Sequence, residues 1–203
     1  LWIGASDDVI DRAAKLTSGR RKASDQAVPT TPGADVQGDG DLLTRLTAAY
    51  LDAGSLMNRA TGNPAPGKGG YNNPVVLRAG WPAAGMLATA TGLAGLYRDL
   101  VGGRIVRPDT LRTAIEPRVS GPDRVLLVDS AFGLGYMRPS AVYATPARAA
   151  DGAFGHTGAG GSIGLGDIDR GIGFAYLPNR MGDQLSGDQR AHHLVEALYA
   201  ALT

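Results

Sequence analysis

The chain of 203 residues contains no cysteine. A disulfide framework, a thiolate metal site and a cysteine nucleophile are therefore excluded. It also has no apolar run of about 18 residues, the length a membrane-spanning helix needs. Charge of one sign is missing too. Lys+Arg number 20 and Asp+Glu 19, for a formal net charge of +1. That removes the bulk basic field that drives nucleic-acid or anionic-membrane binding. The N-terminus has no basic-then-apolar leader and no initiator Met. It opens on Leu1-Trp2-Ile3-Gly4, as a chain entered midway would, and the compartment stays open.

Glycine is abundant instead, at 30 of 203 residues, roughly twice the usual 7%. Many tight turns or close backbone approaches are expected. With 43% hydrophobic and 19% charged residues, the chain is globular and long enough for a real core.

Ser6 is placed to cap a short helix with Asp7 and Asp8 in its first turn. Residues 17–40 carry no period and many Gly, Pro, Ser and Thr, so they are expected to be a loop, with Arg20-Arg21-Lys22 a solvated basic patch inside it. Residues 41–57 are expected to be helical, with Leu42, Leu43, Leu46, Ala49, Tyr50 and Ala53 on one face. Residues 58–74 read as a second loop. A helix is expected over about 86–101, ended by Gly102-Gly103, and another from Pro108 to about Ile115. After residue 130 the pattern changes to short strands, at 132–136, 154–156, 162–165 and 171–176, with connections short enough for antiparallel hairpins. Their Gly-x-Gly alternation strips one face of side chains and lets another layer or a ligand come close. A terminal helix is expected over 187–202, with Ser186 and Gln189 as a capping box and Ala191, Leu194, Val195, Leu198 and Leu202 as its buried stripe. Helices, then an antiparallel sheet, then a packing helix argue for an α+β fold.

The stretch Phe154-Gly-His-Thr-Gly-Ala-Gly-Gly-Ser-Ile-Gly-Leu-Gly166 supports three spellings. Gly160-x-Ser162-x-Gly164 fits the nucleophile elbow G-x-S-x-G, but an elbow needs a helix after the serine, and the residues after Ser162 are strand-like. A phosphate cradle would need Lys-Ser/Thr and a helix opening after the glycines, and neither follows. A metal site is not expected, since His192 and His193 are adjacent on a helix and point apart. The third spelling, His156-Thr157-Gly158, lies on an expected strand followed by Ala159-Gly160-Gly161. Small residues there let a substrate lie along the strand edge. A backbone N–H just past the Gly is then available as half of an oxyanion hole.

That block, with Asp167, Asp169, Gly171-Ile-Gly-Phe-Ala-Tyr176 and Asn179-Arg180-Met181, resembles the C-terminal part of serine β-lactamase-related hydrolases. It is most similar to the carboxylesterases and lipases with the class C β-lactamase fold. Leu1–Gly4, Asn72-Asn73-Pro74, Pro82–Ala84, Ser120–Asp123, Phe132–Gly135 and Arg190–Tyr199 agree in order. The resemblance implies a β-lactamase/penicillin-binding-protein-like (transpeptidase-like) fold. Residues 1–116 would form a mostly helical region, and residues 117–203 antiparallel strands plus a C-terminal helix. It implies a serine hydrolase that forms an acyl-enzyme, with no cofactor and no metal. The expected partner is a small-molecule ester, lipid or β-lactam. His156 would stand where the family has Lys or His, Gly158 would be the motif glycine, and Ala159 would supply the oxyanion N–H. Thr157 and Gly160 would contact substrate.

The chain departs from the family in one respect. No serine has Lys three residues on, and Ser18 comes nearest with Lys22 four away. Tyr71-Asn72-Asn73 spells Y-x-N, but in a segment resembling a later part of the family. The expectation is that the nucleophile, its lysine and its tyrosine precede Leu1 in a missing N-terminal portion. A non-catalytic binding or scaffold domain is the alternative.

Overall fold

A computed structural model describes residues 1–17, 40–63, 65–182 and 187–202, with residues 40–43 described only as helix. The basic cluster Arg20-Arg21-Lys22 and the capping residue Ser186 lie outside the described residues.

In chain order the elements are β1 (Trp2–Ile3), α1 (Asp7–Arg12), α2 (Gly40–Leu51), α3 (Leu56–Thr61), α4 (Pro74–Ala79), β2 (Met86–Leu87), α5 (Ala90–Val101), α6 (Pro108–Ile115), β3 (Val119–Pro122), β4 (Asp129–Phe132), β5 (Ala153–Thr157), β6 (Ile163–Asp167), β7 (Ile172–Tyr176) and α7 (Gln189–Ala200). β1 and β2 pair antiparallel, as do β3 and β4. The central sheet is antiparallel in the order β5-β6-β7. Met137 bridges Phe132 to Gly155 and so joins the β3–β4 hairpin to the edge of β5.

The central sheet is sandwiched between two helices, and its period-2 pattern decides which helix meets which face. Phe154, His156, Gly164, Gly166, Gly173 and Ala175 share one face through the pairs Phe154–Gly166, His156–Gly164, Gly164–Ala175 and Gly166–Gly173. This face meets α5, and Phe154 clusters there with Leu93, Tyr97, Leu100 and Leu111. The opposite face carries Ala153, Ile163, Leu165 and Ile172, which pack with Val195 and Tyr199 of α7. The glycines let α5 descend onto the strands. A Cβ at Gly173 would fall 2.3 Å from the Arg98 N and 2.7 Å from the Ala94 O, and one at Gly164 would fall 2.3 Å from the Tyr97 ring. The close approach expected from Gly-x-Gly alternation is filled by this helix.

Buried polar groups fix the far side. Asp167 is fully buried. It accepts from the Asp169 N (2.9 Å), the Arg170 N (3.0 Å), Arg170 Nη1 (3.2 Å) and the Tyr199 hydroxyl (2.8 Å). The β6–β7 turn is thereby tied to α7. Burial, with the Asp167 carboxylate beside it, pushes the Tyr199 phenol well above its ordinary value. Arg138, also buried, donates to the carbonyls of Ala150 (3.0 Å), Asp151 (2.8 Å) and Ala153. It anchors the chain as it enters β5.

Several boundaries differ from the sequence expectation. The helix expected over 41–57 is two helices. The Asn58 side-chain amide reaches back to the carbonyls of Ala49, Tyr50 and Asp52, while Ser55 accepts from the Asn58 N (3.1 Å) and caps α3. Tyr50 is exposed rather than on a buried face. Residues 58–74 are not all loop, since α3 runs to Thr61 and a 3₁₀ turn covers Gly70–Asn72. α5 starts at Ala90, where Thr89 caps the Gly92 N (3.0 Å); Met86 and Leu87 instead pair with β1. Residues 133–136 form a turn beyond β4, closed by the Gly133 N–H on the Tyr136 carbonyl (2.9 Å). Ser6 precedes α1 as expected, but its hydroxyl bonds the Asp8 carboxylate instead of a backbone N–H. α7 is capped by Asp188, and its buried stripe is Ala191, Val195 and Tyr199, with Leu194 and Leu202 exposed.

The close approach of α5 yields a test. Gly173→Ala forces a methyl against helix backbone and should cost about 2–3 kcal/mol. Gly171→Ala meets nothing within 4 Å, and its φ of +70° is the main penalty, about 1–2 kcal/mol. Urea unfolding of the two variants should separate them in that order; equal losses would mean that α5 does not press on β7.

Candidate functional site

β5 delivers His156, Thr157 and Gly158 to one end of the sheet, and a tight turn carries Ala159, Gly160 and Gly161 before β6 begins. Backbone alternation sets the chemistry of this edge. Gly155 exchanges hydrogen bonds with Met137 (3.1 Å and 2.9 Å), so its N–H and C=O point away from β6. The Gly158 N–H points inward, to the Ser162 carbonyl (2.8 Å). One residue on, the Ala159 N–H lies on the outer side, and among the described residues it has no acceptor. Ala159 is itself exposed.

The turn bearing that N–H is held from behind. Gly160 and Gly161 have φ of +80° and +106°, a consecutive left-handed pair that side chains resist. A Cβ on Gly160 would strike the Met181 side chain at 2.7 Å, and one on Gly161 would strike Asp188 at 2.5 Å. The Gly160 carbonyl accepts from the Gly182 N (2.8 Å) and Arg190 Nη2 (3.4 Å). Asp188 caps α7 through the Arg190 N (2.7 Å) and grips the Arg190 guanidinium. That guanidinium, with the backbone N–H, holds the nearly buried Asp188 carboxyl below the usual carboxylate range against the opposing effect of burial. The start of α7 is thus a brace for the glycine turn.

The side chains divide between the two faces. Thr157 turns to the α7 side, where its hydroxyl donates to the Val142 carbonyl (3.1 Å); it braces the strand there. Tyr143, fully buried, donates to the Phe154 carbonyl (3.0 Å), and Gly155 leaves room for its hydroxyl. His156 is exposed on the α5 side, and its Nδ1 lies 2.5 Å from the Thr157 carbonyl oxygen. Ser162 follows the turn and leads into β6. Strand–turn–strand geometry excludes the nucleophile-elbow reading, which needs a helix after the serine. Ser162 and His156 do share a face, as diagonal neighbours across β5 and β6, but no hydrogen bond joins them.

His192 and His193 lie on α7, far along the chain from this turn; His192 approaches Glu196 at 3.8 Å. No group of three or more metal-ligating side chains occurs among the described residues. No helix there is long and apolar enough to cross a membrane. Sequence reasoning gave no site role to Tyr97, Asp188, Arg190 or Met181, although Tyr97 falls on the apolar face of its helix and Met181 and Arg190 lie in segments that carry the resemblance.

A family model described as Beta-lactamase matches residues 11–199. Among curated proteins, the esterase/beta-lactamase LipL of Mycobacterium tuberculosis (strain ATCC 25618 / H37Rv) is 36% identical over 115 residues, 52% of this chain and 25% of LipL. EstA from Arthrobacter nitroguajacolicus Rue61a superposes with a TM-score of 0.61 at 28% identity, over 75% of this chain and 42% of EstA. A penicillin-binding-protein homologue from Caulobacter crescentus gives a TM-score of 0.50 at 33% identity, over 64% of this chain and 40% of the homologue. The chain thus spans a quarter of its curated relative and about two-fifths of these solved structures.

The brace gives a pH-dependent prediction. A carboxyl whose pKa is lowered by folding stabilises the fold above its unfolded value, about 3.9, and that stability is lost as pH falls through the folded value. Asp188→Asn keeps a capping side chain but loses the charge. Its urea midpoint should lie below wild type at pH 7, and the gap should narrow as pH drops below about 4. A gap independent of pH would show that the charge on Asp188 plays no part in the brace.

Proposed function

The chain belongs to the beta-lactamase family, and on that premise we propose that it supplies the oxyanion strand of a serine hydrolase acting on carboxylic esters. The observation that carries this reading is the Ala159 N–H: without an acceptor among the described residues, on an exposed residue of a braced turn directly after His156-Thr157-Gly158. A donor of this kind stabilises the negative charge that develops on a carbonyl oxygen during acyl transfer, because its orientation is set before the reaction. The name of the curated relative, esterase/beta-lactamase, agrees with this reaction class. Gly158 is the motif glycine, with the Ser162 hydroxyl filling the space its Cβ would take, and Thr157 and Gly160 shape the strand edge along which the substrate lies.

Under this reading the serine attacks the ester carbonyl, its proton passes to a neighbouring base, and the alcohol leaves. Water then attacks the acyl-enzyme and releases the acid. The Ala159 N–H stabilises both oxyanions. The nucleophile, with its lysine and tyrosine, comes from polypeptide outside these 203 residues, and regions 1–116 and 117–203 act together as one wall of the site. Esters are favoured over anionic substrates because a neutral imidazole at His156 attracts a carboxylate less than a lysine would.

One observation favours a second reading, a binding or scaffold domain that keeps the fold without the chemistry. No serine in the sequence is followed three residues later by lysine.

Labelling with a fluorophosphonate serine-hydrolase probe separates the readings. Intact mass is measured on this chain and on the longest translation product of its reading frame. The hydrolase reading expects one adduct on the longer protein and none on this chain. An adduct mapped to Ser162 would overturn the assignment of the nucleophile, and no adduct on either protein would favour the binding domain.

A further inference from the structure

The α5 face of the sheet beside His156 carries polar groups that the oxyanion strand does not use. His156 Nδ1 lies beside the Thr157 carbonyl oxygen, and because a carbonyl oxygen only accepts, this contact is a hydrogen bond in the tautomer that carries its proton on Nδ1. In the neutral ring the Nε2 lone pair is then left as an acceptor. A lysine at this position could only donate. His156 therefore reverses the hydrogen-bonding polarity of the site.

Three hydroxyls share this face with the imidazole. Tyr97 lies over Gly164, the residue registered directly opposite His156; the Cβ position of Gly164 is 2.3 Å from its ring and 3.0 Å from its hydroxyl oxygen. α5 packs on β6 and β7, which seats Tyr97 over β6 at Gly164. The ring is 93% buried, at 7% relative exposure. Its hydroxyl has no hydrogen-bond partner among the described residues, and it is not one of the partnerless atoms sealed from solvent. Burial, with Tyr136 nearby, pushes its pKa up to about 12, so it stays a neutral donor. Tyr136 continues the Met137–Gly155 bridge by one residue and so falls beside His156, its ring edge-on to Phe154 at 5.1 Å. Ser162 is the third hydroxyl, diagonal to His156. With the imidazole neutral, these four side chains hold no formal charge, and the aromatic rings supply apolar surface between the polar tips.

We propose that this face is a subsite for uncharged, hydroxyl-bearing ligands with an apolar body, in which His156 Nε2 accepts from the ligand hydroxyl and the Tyr97 hydroxyl donates to it. Resting on the hydrolase reading, the subsite takes the alcohol side of the ester, and the released alcohol is its simplest occupant.

Benzyl alcohol and benzoate serve as probes, since they share a ring and differ in hydroxyl against carboxylate. The test uses this chain, labelled with ¹⁵N at histidine, and needs no nucleophile, so it is independent of the fluorophosphonate result. Long-range ¹H–¹⁵N spectra at pH 8 should show a pyridine-type Nε2 and a pyrrole-type Nδ1 for His156. Benzyl alcohol should shift the His156 Nε2 resonance saturably, and benzoate should not. Tyr97→Phe keeps the ring and removes only the hydroxyl. It should weaken benzyl alcohol about fivefold, the worth of one hydrogen bond, with an otherwise unchanged amide spectrum as the check on folding. A pyrrole-type Nε2, equal binding of benzoate, no binding of benzyl alcohol, or an unchanged affinity in Tyr97→Phe would each overturn the subsite. If the tyrosine variant misfolds, the tautomer and the alcohol-against-carboxylate preference of the wild type still decide it.

Discussion

The close approach of α5 to β6 and β7 is the constraint on which the rest of the structure depends. Backbone meets backbone there, because Gly164 and Gly173 bring no side chains to the contact. The approach seats Tyr97 over Gly164, puts Phe154 into the core beneath α5 and leaves His156 as the exposed side chain at the end of the same row. A sheet with ordinary side chains on this face would hold the helix farther off, and the neighbours of His156 would be different residues.

The other face is secured by polar groups. Arg138 collects the carbonyls before β5, Asp167 ties the β6–β7 turn to Tyr199, and Asp188 with Arg190 grips the glycine turn. Arg138, Asp167 and Asp188 are buried or nearly so and have partners suited to their charge, the condition under which burial of a charge is tolerable; Arg190 reaches Asp188 from the exposed side. The three anchors define where β5 starts, how the hairpin β6–β7 turns and where the Ala159 N–H points. Rigidity at that N–H is what an oxyanion donor needs, since preorganisation is the source of its effect.

Much of this was legible in the residues. Gly-x-Gly alternation predicted a face open to close approach, and α5 occupies it. The His-Thr-Gly run predicted a strand, and β5 is that strand. What could not be read was of two kinds. One was local competition. Gly121 and Pro122 look like breakers yet pair with Ser130 and Asp129 in β3–β4, and the side chain of Asn58 ends α2 at a point where hydrophobic spacing continues. The other was long-range. Nothing in the spacing links Asp188 and Arg190 to Gly160, some thirty residues earlier, or Tyr97 to Gly164. The buried stripe of α7 follows Tyr199 and its bond to Asp167, which a count of leucines at helical spacing does not detect.

The most direct measurement of the central claim is native-state hydrogen exchange at two adjacent amides. The Gly158 N–H is bonded to the Ser162 carbonyl, and the Ala159 N–H on the same braced turn has no acceptor among the described residues. The account predicts strong protection at Gly158 and exchange close to the unprotected rate at Ala159, with Gly182 protected through its bond to Gly160. Protection at Ala159 equal to that at Gly158 would contradict it, because the N–H assigned to the oxyanion would then already be occupied within the fold.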